Sequence, residues 1–325
     1  MNNFLQTNVK ANVKNSELGT ISILLGTYNG ELYIQQQLDS IRAQTYKDWV
    51  LYVSDDGSVD RTLGIINDFA KEFPAGKVKV LKGPQKGFAQ NFFSLLRNNS
   101  IHSPYYAFCD QDDIWLDTKL EIAIKSLKRN CTGKKPYQLY GSRTTLIDER
   151  GKYLGDSPLF QRELSVKNAL IQSYAGGNTM VFNHDIKRLF ENIEGNLNVI
   201  SHDWLLYITV AALNGVIIYD KQSYMLYRQH DNNLVGSNKG LLSKVERFKK
   251  IYSGEYKAWN KNNHEILEVI SSNIDDVNNE VIRLYYRKSD SLVERAHNFL
   301  KSGVYRQAKY ETLFFFLMAV LGKLN

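Results

Sequence analysis

Cysteine is scarce in this 325-residue chain: only Cys109 and Cys131 occur, and they form no CxxC pair. This excludes a disulfide framework and argues against a cysteine-ligated structural zinc site. No apolar run is long enough to span a bilayer, and residues 1–19 lack the apolar core of a signal peptide. Because free thiols suit a reducing compartment, we expect a cytoplasmic protein, with peripheral contact at the inner face of the cell membrane left open.

Basic residues are in excess, but they are not gathered into long tracts. The formal net charge is +7, and the chain has no run of five or more cations, no zinc finger and no RNA-binding signature. We therefore expect no nucleic-acid partner. An anionic small substrate or an anionic membrane surface remains compatible with the charge.

Several common catalytic sequences are also absent. The chain has no GxxxxGK[ST], no GxGxxG after its first apolar run, no HExxH and no GxSxG. These absences argue against a P-loop nucleotidase, a dinucleotide-dependent dehydrogenase, a zinc protease and an α/β-hydrolase.

Four short apolar runs are separated by segments with helical spacing of apolar residues. The runs are Ile21–Leu25, Trp49–Val53, Val78–Leu81 and Tyr105–Phe108. Such alternation predicts an α/β fold with a mostly parallel sheet flanked by helices on both faces.

The chain divides into three regions by composition. Residues 1–19 form a polar segment, residues 20–240 carry the alternating pattern of a catalytic domain, and residues 241–325 form a helical extension. Within the extension, Leu313–Leu321 is apolar but too short to span a membrane. It is compatible with packing on the core, with a membrane surface, or with a second subunit in a homo-oligomer.

Two acidic clusters follow two of the predicted strands. Asp55 and Asp56 follow the second strand, and Asp110, Asp112 and Asp113 follow the fourth. Ligands of parallel sheets bind beyond the carboxyl ends of strands, so both clusters should open onto one crevice. A divalent cation would relieve the repulsion within the second cluster. A solvated acidic loop, or a turn with an Asx hydrogen bond, would explain either cluster alone.

Three further sequences carry chemistry. Asp203 precedes an apolar helical stretch and is either a general base or a helix cap. Arg228 and His230 share a face of an extended chain and could hold a diphosphate or a metal, or could simply end a surface strand. Lys86 and Gly87 start a helix, where anions are favoured.

Taken in order, these motifs resemble those of family 2 glycosyltransferases. The resemblance is carried by Ile21–Asn29, Val53–Thr62, Phe108–Trp115, His202–Trp204 and Tyr227–His230. The chain is similar to the bacterial rhamnosyltransferase-like branch, which works in capsule, O-antigen and cell-wall polysaccharide assembly. The resemblance implies a GT-A fold, an inverting mechanism, a nucleotide-sugar donor, and Mn²⁺ or Mg²⁺ as cofactor.

The resemblance also implies roles for individual residues. Asp203 would be the catalytic base, and Asp112 and His230 would bind the metal. The residues expected on the donor side are Thr27, Tyr28, Asn29, Asp55, Asp56, Lys86, Asp110, Gln111, Asp113 and Arg228. The residues expected on the acceptor side are Trp115, Gly176, Gly177, Asn178, His202 and Trp204. His202 stands where some members carry a first acid, and this departure bears on the base assignment.

The expected activity is transfer of rhamnose from dTDP-rhamnose to a lipid-linked or growing glycan. One alternative is transfer of galactose, glucose or N-acetylglucosamine from a UDP donor. A second is a non-catalytic glycan-assembly subunit. A third, a nucleotidyltransferase, is disfavoured because the loop Gly26–Asn29 carries no Lys or Arg.

Overall fold

The computed structural model describes residues 19–131, 133, 135–193, 197–230 and 255–324. The polar segment 1–19 thus lies almost wholly outside the described residues, as does the expected boundary near residue 240. The same holds for the helical pattern expected over 241–254.

The first half alternates strands with helices, as the apolar pattern predicts. The elements are β1 (Ile21–Thr27), α1 (Ile34–Arg42), β2 (Trp49–Asp55), α2 (Thr62–Lys71), β3 (Val78–Lys82), α3 (Phe88–Arg97) and β4 (Tyr105–Cys109).

The second half is less regular. Its elements are β5 (Ile114–Trp115), α4 (Lys119–Arg129), β6 (Gln138–Ile147), β7 (Tyr153–Asp156), α5 (Val166–Ala169), β8 (Val181–Asn183), α6 (His184–Glu191), α7 (His202–Ala212) and β9 (Val216–Arg228). Four helices follow among the described residues: α8 (Glu255–Val269), α9 (Asp276–Tyr286), α10 (Leu292–Ser302) and α11 (Lys309–Val320).

The described strands form one sheet in the order β3-β2-β1-β4-β8-β6-β9-β5, with β7 paired to β6. The pairs among β1 to β4 are parallel, and β6 and β9 are also parallel. The other pairs, including β4 with β8 and β5 with β9, are antiparallel. The expected parallel order therefore holds for the first four strands, whereas the second half of the sheet is mixed.

Strand β9 is one strand of 13 residues, although the residues between Tyr219 and Tyr224 are polar. It pairs with β6 along nearly the whole length of both strands, and the register shifts near Arg143. The pairing with β6 passes from Asp220 to Ser223, so the polar stretch contains an irregularity in the strand and not its end.

Alternating side chains of the central strands enter two cores. In β1, Leu24 faces the core beneath α3, α7 and the C-terminal helices, whereas Ile23 and Leu25 face the core beneath α1, α2 and α4. Each face of a strand carries every second residue, so a strand buried on both faces is apolar throughout. Helices cover both faces of the sheet, as expected.

The C-terminal helices belong to the first of these cores. Tyr256, Ile266, Val281 and Phe315 are buried in the same cluster as Leu24. The helical extension therefore packs directly on the strand-and-helix region. No helix of the described residues is long and apolar enough to cross a membrane.

A short 3₁₀ turn, Gly177–Thr179, precedes β8 and packs against the start of α7. A Cβ atom at position 177 would lie 2.2 Å from Nε2 of His202. The His202 ring stacks on Phe92 with ring centroids 4.1 Å apart and meets Phe108 edge-on at 4.7 Å. This burial lowers the pKa of His202 to about 4, so the imidazole is neutral where it supports the turn.

Because the turn has no room for a side chain, Gly177→Ala should lower the free energy of unfolding by about 1–3 kcal/mol, the usual cost of overpacking. The loss should be smaller in a His202→Ala background, because the clashing atom is gone. Urea denaturation of the two single variants and the double variant measures this coupling.

Gly64→Ala is the matched control, because a Cβ there meets nothing within 4 Å. It lies in α2, where alanine should add about 0.5–1 kcal/mol of stability. An equal loss for Gly177→Ala with and without His202 would show that the two positions are not in steric contact.

Candidate active site

The ends of β1, β2 and β4 lie at one edge of the sheet. Thr27 pairs with Asp55 in the register of β1 and β2, and Leu25 pairs with Cys109 in that of β1 and β4. The two acidic clusters therefore open at the same edge, as the sequence predicts.

Asp55 and Asp56 each organise a loop at this edge. The Asp55 carboxylate accepts hydrogen bonds from the backbone N–H of Gly57 and from the backbone N–H and hydroxyl of Ser58. The Asp56 carboxylate accepts from the backbone N–H of Gln85 at 2.6 Å and of Gly87 at 2.9 Å. Both acids are nearly buried, so they shape the loops on the expected donor side of the site.

Gln111 joins the end of β1 to the acidic loop. Its Oε1 accepts hydrogen bonds from the Thr27 hydroxyl at 2.6 Å and from the Tyr28 backbone N–H at 2.9 Å, and its Nε2 donates to the Tyr28 carbonyl at 3.0 Å. The Gln111 side chain is thus a brace, while the Tyr28 side chain is 57% exposed at the rim. The neighbouring Asn29 has a left-handed backbone and accepts from Val59 N–H through its side chain.

The acidic loop places its three carboxylates in different surroundings. Asp113 is fully buried and accepts from Asn178 Nδ2 at 2.7 Å and from the Arg228 backbone N–H at 3.3 Å. Burial raises its pKa well above the usual value. Burial, with the negative charges of Asp112 and Asp203, raises the pKa of Asp110 to about 8. Asp110 and Asp113 therefore favour the protonated form more than a free carboxylate does.

Asp112 is the acid of the loop that contacts a histidine, a residue type that also binds metals. Its Oδ2 lies 2.8 Å from Nε2 of His230, and both side chains are partly exposed. The two residues are 118 positions apart in the chain. The ring of His230 also stacks on Tyr33 with centroids 5.1 Å apart.

This pair fits a divalent cation as a partial ligand set. Two neighbouring ligands at about 2.1 Å from an octahedral cation lie about 3 Å apart, close to the observed separation. Mg²⁺ and Mn²⁺ commonly take one or two protein ligands and complete their shell with phosphate oxygens and water. Among the described residues, no group of three or more His, Cys, Asp or Glu side chains forms a complete site, so Asp112 and His230 would depend on a phosphate-bearing substrate.

Arg228 is a structural brace rather than an exposed cation. It is 1% exposed, and its Nη1 donates to the Glu149 carbonyl at 2.9 Å while its Nη2 donates to Gln36 Oε1 at 2.6 Å. Its Nε donates to the carbonyl of Asp112, and its guanidinium lies over the Tyr33 ring at 4.7 Å. Arg228 thus fixes the acidic loop instead of facing the crevice with a free guanidinium, as a diphosphate ligand would.

Asp203 is the second residue of α7 and Ser201 is the N-cap, so the alternative expectation that Asp203 caps the helix is wrong. Its Oδ1 accepts from the Ser201 hydroxyl and from the Trp204 backbone N–H. Among the hydrogen bonds of the described residues, none engages Oδ2. The charge of Asp203 contributes to the raised pKa of Asp110, so the two acids are electrostatic neighbours although 93 positions separate them.

Two aromatic residues expected on the acceptor side lie in the hydrophobic core. Trp115 is 2% exposed beneath the Lys119 ammonium, which lies 4.3 Å from the ring centroid. Trp204 is 7% exposed, and its Nε1 donates to the Ala169 carbonyl at 2.6 Å. Their rings therefore support the site by packing and do not line the crevice.

The remaining expected residues lie around these groups. Gly176, Gly177 and Asn178 form the turn that joins Asp113 to His202, and Lys86 is exposed beside the loop that Asp56 holds. The His202 ring is buried beneath the turn.

Sequence reasoning missed Tyr33 and Gln36. Both contact Arg228, and Tyr33 also contacts His230. They lie at the start of α1 without a recognisable motif. The only available signal was their position at the start of the first predicted helix, after the loop that follows the first strand.

Comparison with known proteins identifies the family. Residues 22–190 match the model for Glycosyl transferase family 2. A relative from Shigella flexneri, dTDP-rhamnosyl transferase RfbG, is 30% identical over 80% of this chain and 89% of its own length. UDP-Glc:alpha-D-GlcNAc-diphosphoundecaprenol beta-1,3-glucosyltransferase WfgD from Escherichia coli is 35% identical, but over 34% of this chain and 42% of its own.

Solved structures agree on the fold. The crystal structure of Staphylococcus aureus TarS 1–349 in complex with UDP-GlcNAc superimposes with a TM-score of 0.56, covering 93% of this chain and 81% of TarS 1–349 at 16% identity. The fold is that of the GT-A glycosyltransferases. The family model matches more than half of the chain, and with the RfbG similarity it shows that the chain belongs to glycosyl transferase family 2 and is a glycosyltransferase.

Proposed function

We propose that the enzyme transfers rhamnose from dTDP-rhamnose to a lipid-linked or growing glycan, with inversion at the anomeric carbon. The observation that carries the donor is the similarity to RfbG, whose name gives dTDP-rhamnosyl transfer and which aligns over most of both chains. The principal alternative is a UDP-hexose donor, which WfgD has in its name, although its similarity is confined to about a third of this chain. A non-catalytic subunit has no support once the family and its acids are both present.

The donor would lie along the edge formed by β1, β2 and β4. Tyr28 and the loops held by Asp55 and Asp56 would surround the nucleoside. Lys86 is exposed next to the first turn of α3, where a cation and the N-terminal end of a helix favour the diphosphate.

Asp203 would act as the base. It takes the proton of the acceptor hydroxyl as that oxygen forms a bond to the anomeric carbon of the sugar. The bond between the anomeric carbon and the diphosphate oxygen breaks, and its electron pair leaves with the nucleoside diphosphate. Because Oδ1 is held by Ser201 and Trp204, Oδ2 is the oxygen assigned to the proton.

A divalent cation held by Asp112 and His230, when bound, would supply stabilisation of the negative charge on the leaving diphosphate. Around that position, Arg228 keeps the acidic loop in place through the Asp112 carbonyl. Asn178 holds Asp113, so the chain's own hydrogen bonds fix where Asp112 points.

The donor is tested first by nucleotide binding and then by transfer. Calorimetric titration with dTDP, UDP and GDP in the presence of Mn²⁺ should give the tightest binding for dTDP. In transfer assays, dTDP-rhamnose should exceed UDP-glucose, UDP-galactose and UDP-N-acetylglucosamine in kcat/KM by at least roughly tenfold, the lower end of discrimination by one apolar contact. Preference for any UDP-hexose would overturn the donor assignment and leave the family unchanged.

Asp203→Asn should reduce kcat by about 10²–10⁴-fold, the usual contribution of a general base, with donor affinity unchanged. The amide oxygen still accepts the hydrogen bonds from the Ser201 hydroxyl and the Trp204 backbone N–H, so folding should be preserved. Ser201→Ala is the control, because it removes one of those bonds and keeps the carboxylate; its effect on kcat should be small. A rate near wild type for Asp203→Asn would end the base assignment.

Asp112→Ala should abolish the metal dependence of nucleoside diphosphate binding and reduce transfer by at least about 10²-fold, as loss of charge stabilisation at a transition state does. EDTA should do the same to the wild type. Asp117→Asn is the matched control, because this exposed acid lies in the same segment. Full transfer activity in EDTA would remove the cation from the mechanism.

A further inference from the structure

Helix α11 has a composition that its burial does not explain. Its residues from Leu313 to Val320 are all apolar, and the apolar character extends around the helix. A helix that is apolar on all sides is normally enclosed by protein or lipid. Of its 12 residues, however, only Phe315 is buried.

The exposed part of α11 is a continuous apolar face. Tyr310, Leu313, Leu317 and Leu321 are 56%, 60%, 49% and 57% exposed. Their spacings of three, four and four residues place them on one side of the helix. Leu321 follows the last helical residue and continues the same side. We call these four residues the α11 face.

The opposite side of α11 is fixed to the protein. The Phe315 ring meets Tyr256 edge-on with centroids 5.1 Å apart, and it lies under the Arg306 guanidinium at 4.7 Å. Phe316 packs against Phe299 of α10 at 5.7 Å. These contacts hold the α11 face outward.

The charges near the ends of the face are mainly basic. Lys309 is the first residue of α11 and is exposed, although cations are disfavoured at a helix N-terminus. At the other end, the Arg295 guanidinium lies beside Gly322. Glu311 is turned to the protein by its 2.8 Å ion pair with Arg306, and Glu294 is an exposed acid in the first turn of α10.

We propose that the α11 face docks on an anionic lipid bilayer, with the helix lying in the plane of the interface. Twelve residues give a helix about 18 Å long, well short of the roughly 30 Å hydrocarbon core. Apolar side chains with cations at their margins are the features that bind a short helix to an anionic interface. A second copy of the chain is a poorer occupant, because a two-fold contact would bring this basic margin against itself.

The helix that carries this face is connected to the chain that leads to Gly176. The segment before α11 is tied to the chain just before Gly176: Gln307 Oε1 accepts from the Arg162 backbone N–H at 2.8 Å, and the Gln307 backbone N–H donates to Gln172 Oε1 at 2.8 Å. Docking here would bring the enzyme to a lipid-linked acceptor, and in that respect the inference rests on the proposed function.

The test is co-sedimentation of the full-length protein with vesicles of phosphatidylcholine alone or mixed with phosphatidylglycerol, without donor or acceptor. The wild type should bind the mixed vesicles. Leu313→Glu combined with Leu317→Glu should weaken that binding at least tenfold, because two apolar contacts are replaced by charges of the same sign as the lipid. Val80→Glu is the control for an added acid at an exposed apolar position on edge strand β3, and it should bind as the wild type does.

The basic margin is tested separately. Arg295→Gln combined with Lys309→Gln should lower binding to the mixed vesicles about tenfold, and the remaining binding should depend less on salt. The leucine variant should retain the wild-type melting temperature and circular-dichroism spectrum, which shows that it is folded.

Unchanged vesicle binding of the leucine variant would overturn the proposal. The proposal is also overturned if the wild type does not bind vesicles but forms a dimer that the leucine changes dissociate, because the face would then hold a second copy. It is overturned as well if the wild type does not bind vesicles and the leucine changes lower the melting temperature, because the chain would then cover the face itself. Vesicle binding does not require transfer, so a wrong donor or base assignment leaves this result intact.

Discussion

Repulsion among the carboxylates that follow β4 is the constraint around which the site is organised. Asp110, Asp112 and Asp113 fill three of four consecutive positions, and Asp203 adds a fourth carboxylate nearby. Carboxylates at this spacing raise the free energy of the folded state when all are ionised, unless each is hydrogen-bonded or paired with a cation. Protonation of some of them relieves the repulsion in another way. The acids differ in burial and in hydrogen-bond partners, and these differences separate their roles.

The surrounding fold supplies the compensating contacts from distant parts of the chain. Asn178 and the backbone of Arg228 satisfy Asp113, and His230 meets Asp112. Arg228 in turn is held by Gln36. The loop is therefore positioned by the start of α1, the turn before β8 and the end of β9 together. Removal of one member would leave a buried charged or polar group without its partner, which costs more than the bond itself contributes.

The sequence predicted the parts of this arrangement that depend on strand order. Four apolar runs with intervening helices determine where β1, β2 and β4 end, so the meeting of Asp55 and Asp110 at one edge could be predicted. The sequence did not reveal which polar residues support the loops and do not bind a ligand. Gln111 and Arg228 are residue types that often bind ligands, and only the direction of the side chain shows which role each has. Trp115 was misplaced for the same reason, since a ring at a strand end can face either the core or the crevice. Strand β8, with three residues, is too short to show a pattern, so the mixed half of the sheet was not predicted.

Acids distant in sequence meet at one sheet edge, where we propose that they hold a cation and a diphosphate. Crystals grown with Mn²⁺ and dTDP test it most directly, because anomalous scattering locates manganese independently of the rest of the structure. We expect one peak within bonding distance of both the Asp112 carboxylate and Nε2 of His230, with the diphosphate oxygens completing the shell. A manganese peak away from Asp112, or dTDP bound on another side of the sheet, would contradict it.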